Sequence, residues 1–275
     1  MMRIGLVGTA FRRDNPTAIP AELKSVLAAG TDIRIYPPRL GMFPNNPLDL
    51  AIQEIGYLDA GIAAAQDGCD AVVLNSVGDY GVAALKSATR KAVVGAGDCG
   101  LRVAASLGRP FSIVTIWPAT TAFLYRKLLV ESGMTAECRD VLHVGTDSEQ
   151  SALGSEGDYV ARMQKGDTDL LGRIVKSCRA TIDRGAAAIL LGCTCMSPIA
   201  DKIQAALDVP VVNPLTTAVK QAELLVSLGL RQSSVNFAAA NPQHGGVISG
   251  MAAAGAALAG AADCDYCVVG ESEMA

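Results

Sequence analysis

The sequence predicts an α/β fold of two pseudo-symmetric, doubly wound lobes, each on a mostly parallel sheet, with an active-site cleft between them. Three observations carry this expectation. Apolar runs such as Asp70 to Leu74 and Ala186 to Leu191 are continuous rather than alternating, which suits strands buried on both faces. Half of the 275 residues are hydrophobic but only 4% are aromatic, and 28 are glycine. That palette favours helices packed closely on parallel strands. Finally, the layout Gly68-Cys-Asp-Ala-Val-Val-Leu-Asn-Ser76 returns 117 positions later (68 to 185) as Gly185-Ala-Ala-Ala-Ile-Leu-Leu-Gly-Cys193. Each copy has a helix-ending glycine, a buried strand, and a small nucleophile eight positions after the glycine. Val94 and Val211 keep the same offset. The expected lobes are 1–106 with 216–275, and 107–215.

In chain order, Arg3 to Val7 reads as a strand leaving through Gly8-Thr9. Glu22 to Ala29 reads as a helix closed by Gly30, and Asp32 to Tyr36 as a strand stopped by Pro37-Pro38. Residues 39–47, rich in Pro, Asn and Gly, read as a long loop of the kind that often serves as a lid. Ile52, Ile55, Ile62 and Ala65 keep helical spacing up to Gly68. A strand at Asp70–Leu74 follows, with the loop Asn75–Gly81 at its carboxyl end. Ala92–Gly95 is a short strand and Asp98–Leu107 a helix. Phe111–Ile116, Ala119–Ser132 and Arg139–Val144 read as strand, helix and strand, followed by a polar loop at 145–157. Thr168–Arg184 is a helix with Leu170, Ile174, Cys178 and Ile182 on one side. Val209–Val212 and Ser234–Phe237 read as strands around the helix Leu215–Leu228, and the residues after Ala262 as poorly ordered.

Composition excludes several classes. A net charge of -4 without a Lys/Arg cluster argues against nucleic acid. The N-terminus lacks a signal-peptide layout, and Val247–Ala262 is too short to span a bilayer, so a cytoplasmic protein without a membrane partner is expected. Eight cysteines in that setting read as thiols rather than a disulfide framework. The pairs Cys193/Cys195 and Cys264/Cys267 have only two histidines to join them, His143 and His244, neither at ligand spacing; no metal is expected. Gly95-Ala-Gly97 with Gly100 does not fit a dinucleotide fingerprint.

Chemistry is expected where strands end. Cys193 follows a buried strand, and Pro198 suits the first turn of a helix whose N-terminus would favour a thiolate. The competing reading is one more buried cysteine. Ser76 is its repeat counterpart. Two small groups at matched strand ends suit proton removal from one face of a carbon acid and delivery to the other. Backbone N–H groups of Val77-Gly78 and Thr194-Cys195 are candidates to hold the carbanion's oxygen.

Gly192-Cys193-Thr194 with Met196-Ser197, the loop Asn75–Gly81 and the strand Phe111–Thr115 together resemble the aspartate/glutamate/hydantoin racemase superfamily along nearly the whole chain. The resemblance implies two lobes, no cofactor, a cleft for a small carboxylate or cyclic amide, and a homo-oligomer. It gives Cys193 the role of proton-transfer thiol. Position 76, where the family carries its first cysteine, is serine, a far weaker acid. Three explanations stay open: an engineered replacement, a one-thiol mechanism like that of the superfamily's arylmalonate decarboxylases, or another base such as Asp79 or Tyr80. Gly8-Thr9-Ala10-Phe11-Arg12-Arg13 replaces the Asn-Pro-Asn loop of the hydantoin branch, so a standard hydantoin is not the expected substrate. The candidate catalytic residues are therefore Cys193 and Ser76. Thr9, Asn75, Val77, Gly78, Thr115, Thr194 and Cys195 are candidates for substrate binding, although Cys195 also reads as packing. The expected activity is a cofactor-independent racemase or isomerase. A single-thiol decarboxylase, cis–trans isomerase or hydrolase, or a small-anion binding protein, is the alternative.

Overall fold

The computed structural model describes residues 1–8, 19–153 and 158–259. Thr9, Arg12, Arg13, Cys264 and Cys267, and the chain end after Ala262, lie outside the described residues.

The first half contains β1 (Met2–Val7), α1 (Ala21–Lys24), β2 (Thr31–Tyr36), α2 (Pro47–Gln66), β3 (Ala71–Leu74), α3 (Val82–Ala88) and β4 (Ala92–Gly95). The second contains α4 (Ala96–Leu107), β5 (Phe111–Thr115), α5 (Ala122–Ser132), β6 (Cys138–His143), α6 (Asp147–Ser151), α7 (Tyr159–Gln164), α8 (Thr168–Ile182), β7 (Ala188–Leu191), α9 (Ala200–Gln204) and β8 (Val211–Val212). Two further helices, α10 (Pro214–Ser227) and α11 (Gln243–Ala259), close the described chain. By packing, one unit comprises Met1–Asn75, Asp79–Gly95 and the described residues from Ala218 on; the other comprises Ser76–Gly78 and Ala96–Thr217.

Each unit holds a four-stranded parallel sheet, in the orders β2-β1-β3-β4 and β6-β5-β7-β8. The two orders are the same with every strand number raised by four. β3 and β7 are fully buried along their length, as continuous apolar strands of a parallel sheet must be. The repeat carries into the hydrogen bonding, the donors at the 117-residue offset (70 to 187, 75 to 192) and the acceptors at 107 (3 to 110, 7 to 114). Asp70 N–H donates to Arg3 O and Asn75 N–H to Val7 O, while Ala187 N–H donates to Pro110 O and Gly192 N–H to Val114 O. Gly68 and Gly185, which turn the chain into these strands, have φ of 86° and 99°, the region open to glycine without cost.

In the first unit, α2 starts at Asn46, whose side chain accepts from Leu48 and Asp49 N–H, with Pro47 at the first turn. The loop before it is packed down on this helix. Leu40 is buried, Met42 N–H donates to Gln53 Oε1 at 2.8 Å, and Arg39 pairs with Asp59 at 2.9 Å. Gly56 leaves room for the Leu40 carbonyl, so the loop backbone lies directly on α2.

Several expectations need correction. The helix expected at 22–29 stops at Lys24, because the following amides turn back: Leu27 N–H still bonds Leu23 O, but Ala28 N–H goes to Glu223 Oε1 at 2.8 Å. Ser234–Phe237 is a turn, not a strand; Val235 N–H bonds Ser233 Oγ, and Phe237 lies under Lys86 Nζ at 5.2 Å. The loop expected at 145–157 begins with α6, started by a capping box between Thr146 and Glu149. Short α3 and α7 were not anticipated, and neither was α11. No helix among the described residues is long and apolar enough to cross a membrane.

Candidate active site

The candidate site lies at the carboxyl end of β7, where Cys193 follows the strand. Gly192 ends the strand because nothing larger fits: a Cβ there would meet Thr115 Cβ at 2.5 Å and Ile113 Cγ2 at 3.0 Å. Its carbonyl accepts a hydrogen bond from Tyr125 Oη at 2.8 Å, and Tyr125 Oη in turn lies 2.6 Å from Thr115 Oγ1. Thr115 Oγ1 also accepts from Trp117 N–H at 3.3 Å. Thus a buried relay from β5 and α5 fixes the peptide that presents Cys193. Thr115 is itself fully buried, and its hydroxyl is committed to that relay. The ring of His143, from β6, packs edge-on against Tyr125 at 5.5 Å, and its Nδ1 lies 3.1 Å from Trp117 O. Burial pulls the His143 imidazole below its ordinary value, against the opposing pull of the Trp117 and Pro118 carbonyls.

Beyond Cys193 the chain does not enter an α-helix at Pro198. It forms a 3-10 segment over Thr194–Ile199 with Pro198 inside it, and α9 follows. Proline is tolerated because the surrounding side chains hold the turn. Ser197 Oγ donates to Asn213 Oδ1 at 2.8 Å, and Asn213 Oδ1 also accepts from Leu215 N–H at the start of α10. Helix α7 packs over the same segment. Its Tyr159 is fully buried, donates to Ile116 O at 3.3 Å and stands edge-on to Trp117.

Cys193 and Cys195 are joined by a disulfide, with Cα atoms 5.2 Å apart. This corrects the expectation that every cysteine is a free thiol. A two-residue separation at the start of a tight turn puts both side chains on one side of the backbone. Cys69, Cys99, Cys138 and Cys178 form no disulfide. Burial pushes the thiols of Cys138 and Cys178 up to about 12, so neither is a nucleophile near neutrality.

The repeat extends to the atoms around the two nucleophiles. Cys195 N–H donates to Cys193 Sγ at 3.1 Å, and Gly78 N–H donates to Ser76 Oγ at 3.1 Å. Gly78 lies at the same 117-residue offset from Cys195 (78 to 195). Each nucleophile therefore accepts from the amide two residues on, and those two amides are directed at their own side chains. Ser76–Gly78 packs with the second unit. Val77 belongs to the same buried cluster as Leu101, Tyr125, Leu128 and Leu190. Gly97 explains how the loop fits, since its missing side chain makes room for the Val77 carbonyl. Ser76 is half-buried, whereas Asn75, Val77, Thr194 and Cys195 are buried. The glycines at 95 and 97 thus serve packing, Gly95 lying against the Asp79 carboxylate. Asp79 is buried with φ of 47°, a left-handed turn residue that Asp tolerates better than most. Tyr80 packs edge-on to Tyr57 at 5.0 Å.

Tyr125, Trp117, Tyr159 and Asn213 escaped the sequence reading, which weighed His143 only as a metal ligand and Ser197 only as part of the family motif. They act through hydrogen bonds and ring contacts between separate elements, and no local spacing marks them. No group of three or more His, Cys, Asp and Glu among the described residues is arranged to hold a metal ion.

Comparison with known proteins decides the family. The model for Asp/Glu/Hydantoin racemase matches residues 29–222. The chain belongs to the Asp/Glu/Hydantoin racemase family. It is 30% identical over 213 residues to a hydantoin racemase of Pseudomonas sp. (strain NS671), covering 77% of this chain and 81% of that one. A hydantoin racemase of Rhizobium meliloti is 31% identical over 169 residues, covering 62% of this chain and 65% of that relative. Among solved structures, allantoin racemase from Klebsiella pneumoniae superposes with a TM-score of 0.74 at 27% identity, covering 88% of this chain and 94% of that one. The chain is thus an isomerase of the racemase type, and its pair of four-stranded parallel sheets is a racemase fold.

Proposed function

We propose that this racemase inverts a small cyclic amide whose stereocentre is a carbon acid, by proton transfer at the Cys193 sulfur. The observation that carries the proposal is the presentation of Cys193. It stands at the end of a buried strand, on a peptide clamped by Tyr125, with a backbone N–H aimed at its sulfur. An N–H at that sulfur favours the thiolate. The relatives named hydantoin and allantoin racemases support a five-membered ring carrying an acidic C–H beside a carbonyl. The thiolate of Cys193 takes that proton, and the negative charge moves to the adjacent carbonyl oxygen. Returning a proton to the other face completes inversion.

Only the dithiol form can do this, because a sulfur in a disulfide bond carries neither the proton nor the basic lone pair. A reducing compartment, hence the cytoplasm, suits the working enzyme. Ser76 holds the matched position in the repeat and is proposed to face the substrate, with Val77, Gly78, Thr194 and Cys195 of the same packing unit as substrate contacts. Thr115 is proposed to act at one remove, by positioning Tyr125 and thereby Cys193. Assembly as a homo-oligomer is supported only by the family resemblance.

The test is α-deuterium exchange in deuterated water, with allantoin and 5-monosubstituted hydantoins as substrates and dithiothreitol present. Wild type should exchange and racemise. Cys193→Ala should lose at least about a thousandfold in rate while keeping its fold, since it removes the proton-transfer group itself. Full exchange by that variant would sink the proposal. The reduced wild type should also be alkylated by iodoacetamide first at Cys193, well ahead of Cys178.

A further inference from the structure

We infer that Cys193 and Cys195 form a reversible oxidative modification site, in which Cys195 resolves oxidised Cys193 and the resulting disulfide switches the enzyme off. The inference rests on the reading of Cys193 as the proton-transfer thiol. Three observations support it. The pairing is selective, since Cys69, Cys99, Cys138 and Cys178 form no disulfide. The partners are two residues apart in a turn held by Ser197 and Asn213, so the second sulfur needs no rearrangement to reach the first. Both residues are buried, and Cys193 is the more exposed of the two, at 6% against 1%.

The chemistry closes with a hydroperoxide as oxidant and a small thiol or dithiol as reductant. The Cys193 thiolate attacks the terminal peroxide oxygen; the O–O bond breaks, the alcohol leaves, and a sulfenic acid forms. The Cys195 thiolate then attacks that sulfur. The S–O bond breaks, and the departing hydroxide gains a proton to become water. In sum, two thiols and one hydroperoxide give one disulfide, one alcohol and one water. In the reverse direction a thiolate attacks Cys193 Sγ and Cys195 leaves as thiolate. A second thiol then displaces Cys193 from the mixed disulfide, releasing the oxidised reagent. Without Cys195 the sulfenic acid has no neighbour to trap it and is open to further oxidation to sulfinic acid, which thiols do not reverse.

The experiment treats reduced wild type, Cys195→Ser and Cys195→Ala with hydrogen peroxide and then with excess dithiothreitol. Each protein's racemisation rate is compared with its own rate before treatment. In parallel, the tryptic peptide spanning 185–202 is weighed. In wild type the rate should fall at least about tenfold as the peptide becomes two hydrogens lighter, and both changes should reverse with dithiothreitol. In the Cys195 variants the peptide should gain oxygen instead, and the lost rate should stay lost. Recovery of those variants as complete as that of wild type would overturn the inference. So would a wild-type peptide that never loses two hydrogens, or one that loses them with no fall in rate. If the variants fail to fold, the wild-type mass and rate still decide. Failure of the underlying reading is separable, because Cys193→Ala would then racemise normally without any oxidant.

Discussion

His143 is held below its ordinary value by burial, so protonating it opposes folding. The folded state therefore binds fewer protons than the unfolded chain once the pH drops below about 6.5, and stability falls there as the medium is acidified. Carboxylates such as Glu149, which Arg173 holds below the usual range, lose their contribution only at lower pH. Urea midpoints at about pH 8 and about pH 5.5 should thus differ more for wild type than for His143→Gln. Equal differences would show that His143 carries no such linkage. Tyr125→Phe tests the neighbouring relay. It removes the donor to Gly192 O and the acceptor of the Thr115 hydroxyl, at a cost of about 1–3 kcal/mol in stability. Its kcat should fall more than its KM rises, because the peptide presenting Cys193 loosens; an unchanged kcat would show the clamp is only structural. As candidates, Cys193 and Ser76 stand out in the sequence because each follows a continuous apolar strand at a fixed distance from a turning glycine. Tyr125 and His143 do not, since their contacts with Gly192 and Trp117 span 67 and 26 residues and leave no local pattern.

Elements built on burial were readable, and those built on individual hydrogen bonds were not. Strands β3 and β7 and helix α8 announce themselves through apolar pattern. Helix α11 does not, because its Ala/Gly-rich sequence is apolar all round, with Val247, Met251 and Leu258 exposed and Ala252 buried. The 3-10 segment after Cys193 follows from the Ser197–Asn213 contact, which no spacing rule anticipates. Two glycines show how element-level packing sets the sign of a substitution. Gly172 lies inside α8 with nothing near its absent Cβ, so Gly172→Ala should stabilise the protein by about 0.5–1 kcal/mol. Gly192 meets Thr115 and Ile113 at once, so Gly192→Ala should destabilise by about 1–3 kcal/mol and lower activity by displacing Cys193. Thermal unfolding of the two variants side by side checks both signs. A loss at position 172, or tolerance at position 192, would contradict the packing described.

At the scale of the whole molecule, the repeat runs from strand order down to single hydrogen bonds, and the difference in it that bears on proton transfer is sulfur at 193 against oxygen at 76. Proton transfer by a thiol is quick in either direction near neutrality, whereas a serine hydroxyl gives up a proton reluctantly and leaves a strongly basic alkoxide. A racemase with this asymmetry should exchange the α-proton from the Cys193 side faster than it inverts the centre. In deuterated water, the enantiomer whose proton faces Cys193 should therefore gain deuterium with retention before optical activity decays. Ser76→Cys places a second thiol at the position whose backbone already supplies the matching N–H, from Gly78. The expected result is a rise in inversion relative to exchange of at least about tenfold, with little change in exchange at the Cys193 side. Polarimetry and mass spectrometry on one reaction give both rates. A ratio unchanged by Ser76→Cys would mean that proton return does not pass through position 76, and would leave the repeat as architecture rather than mechanism.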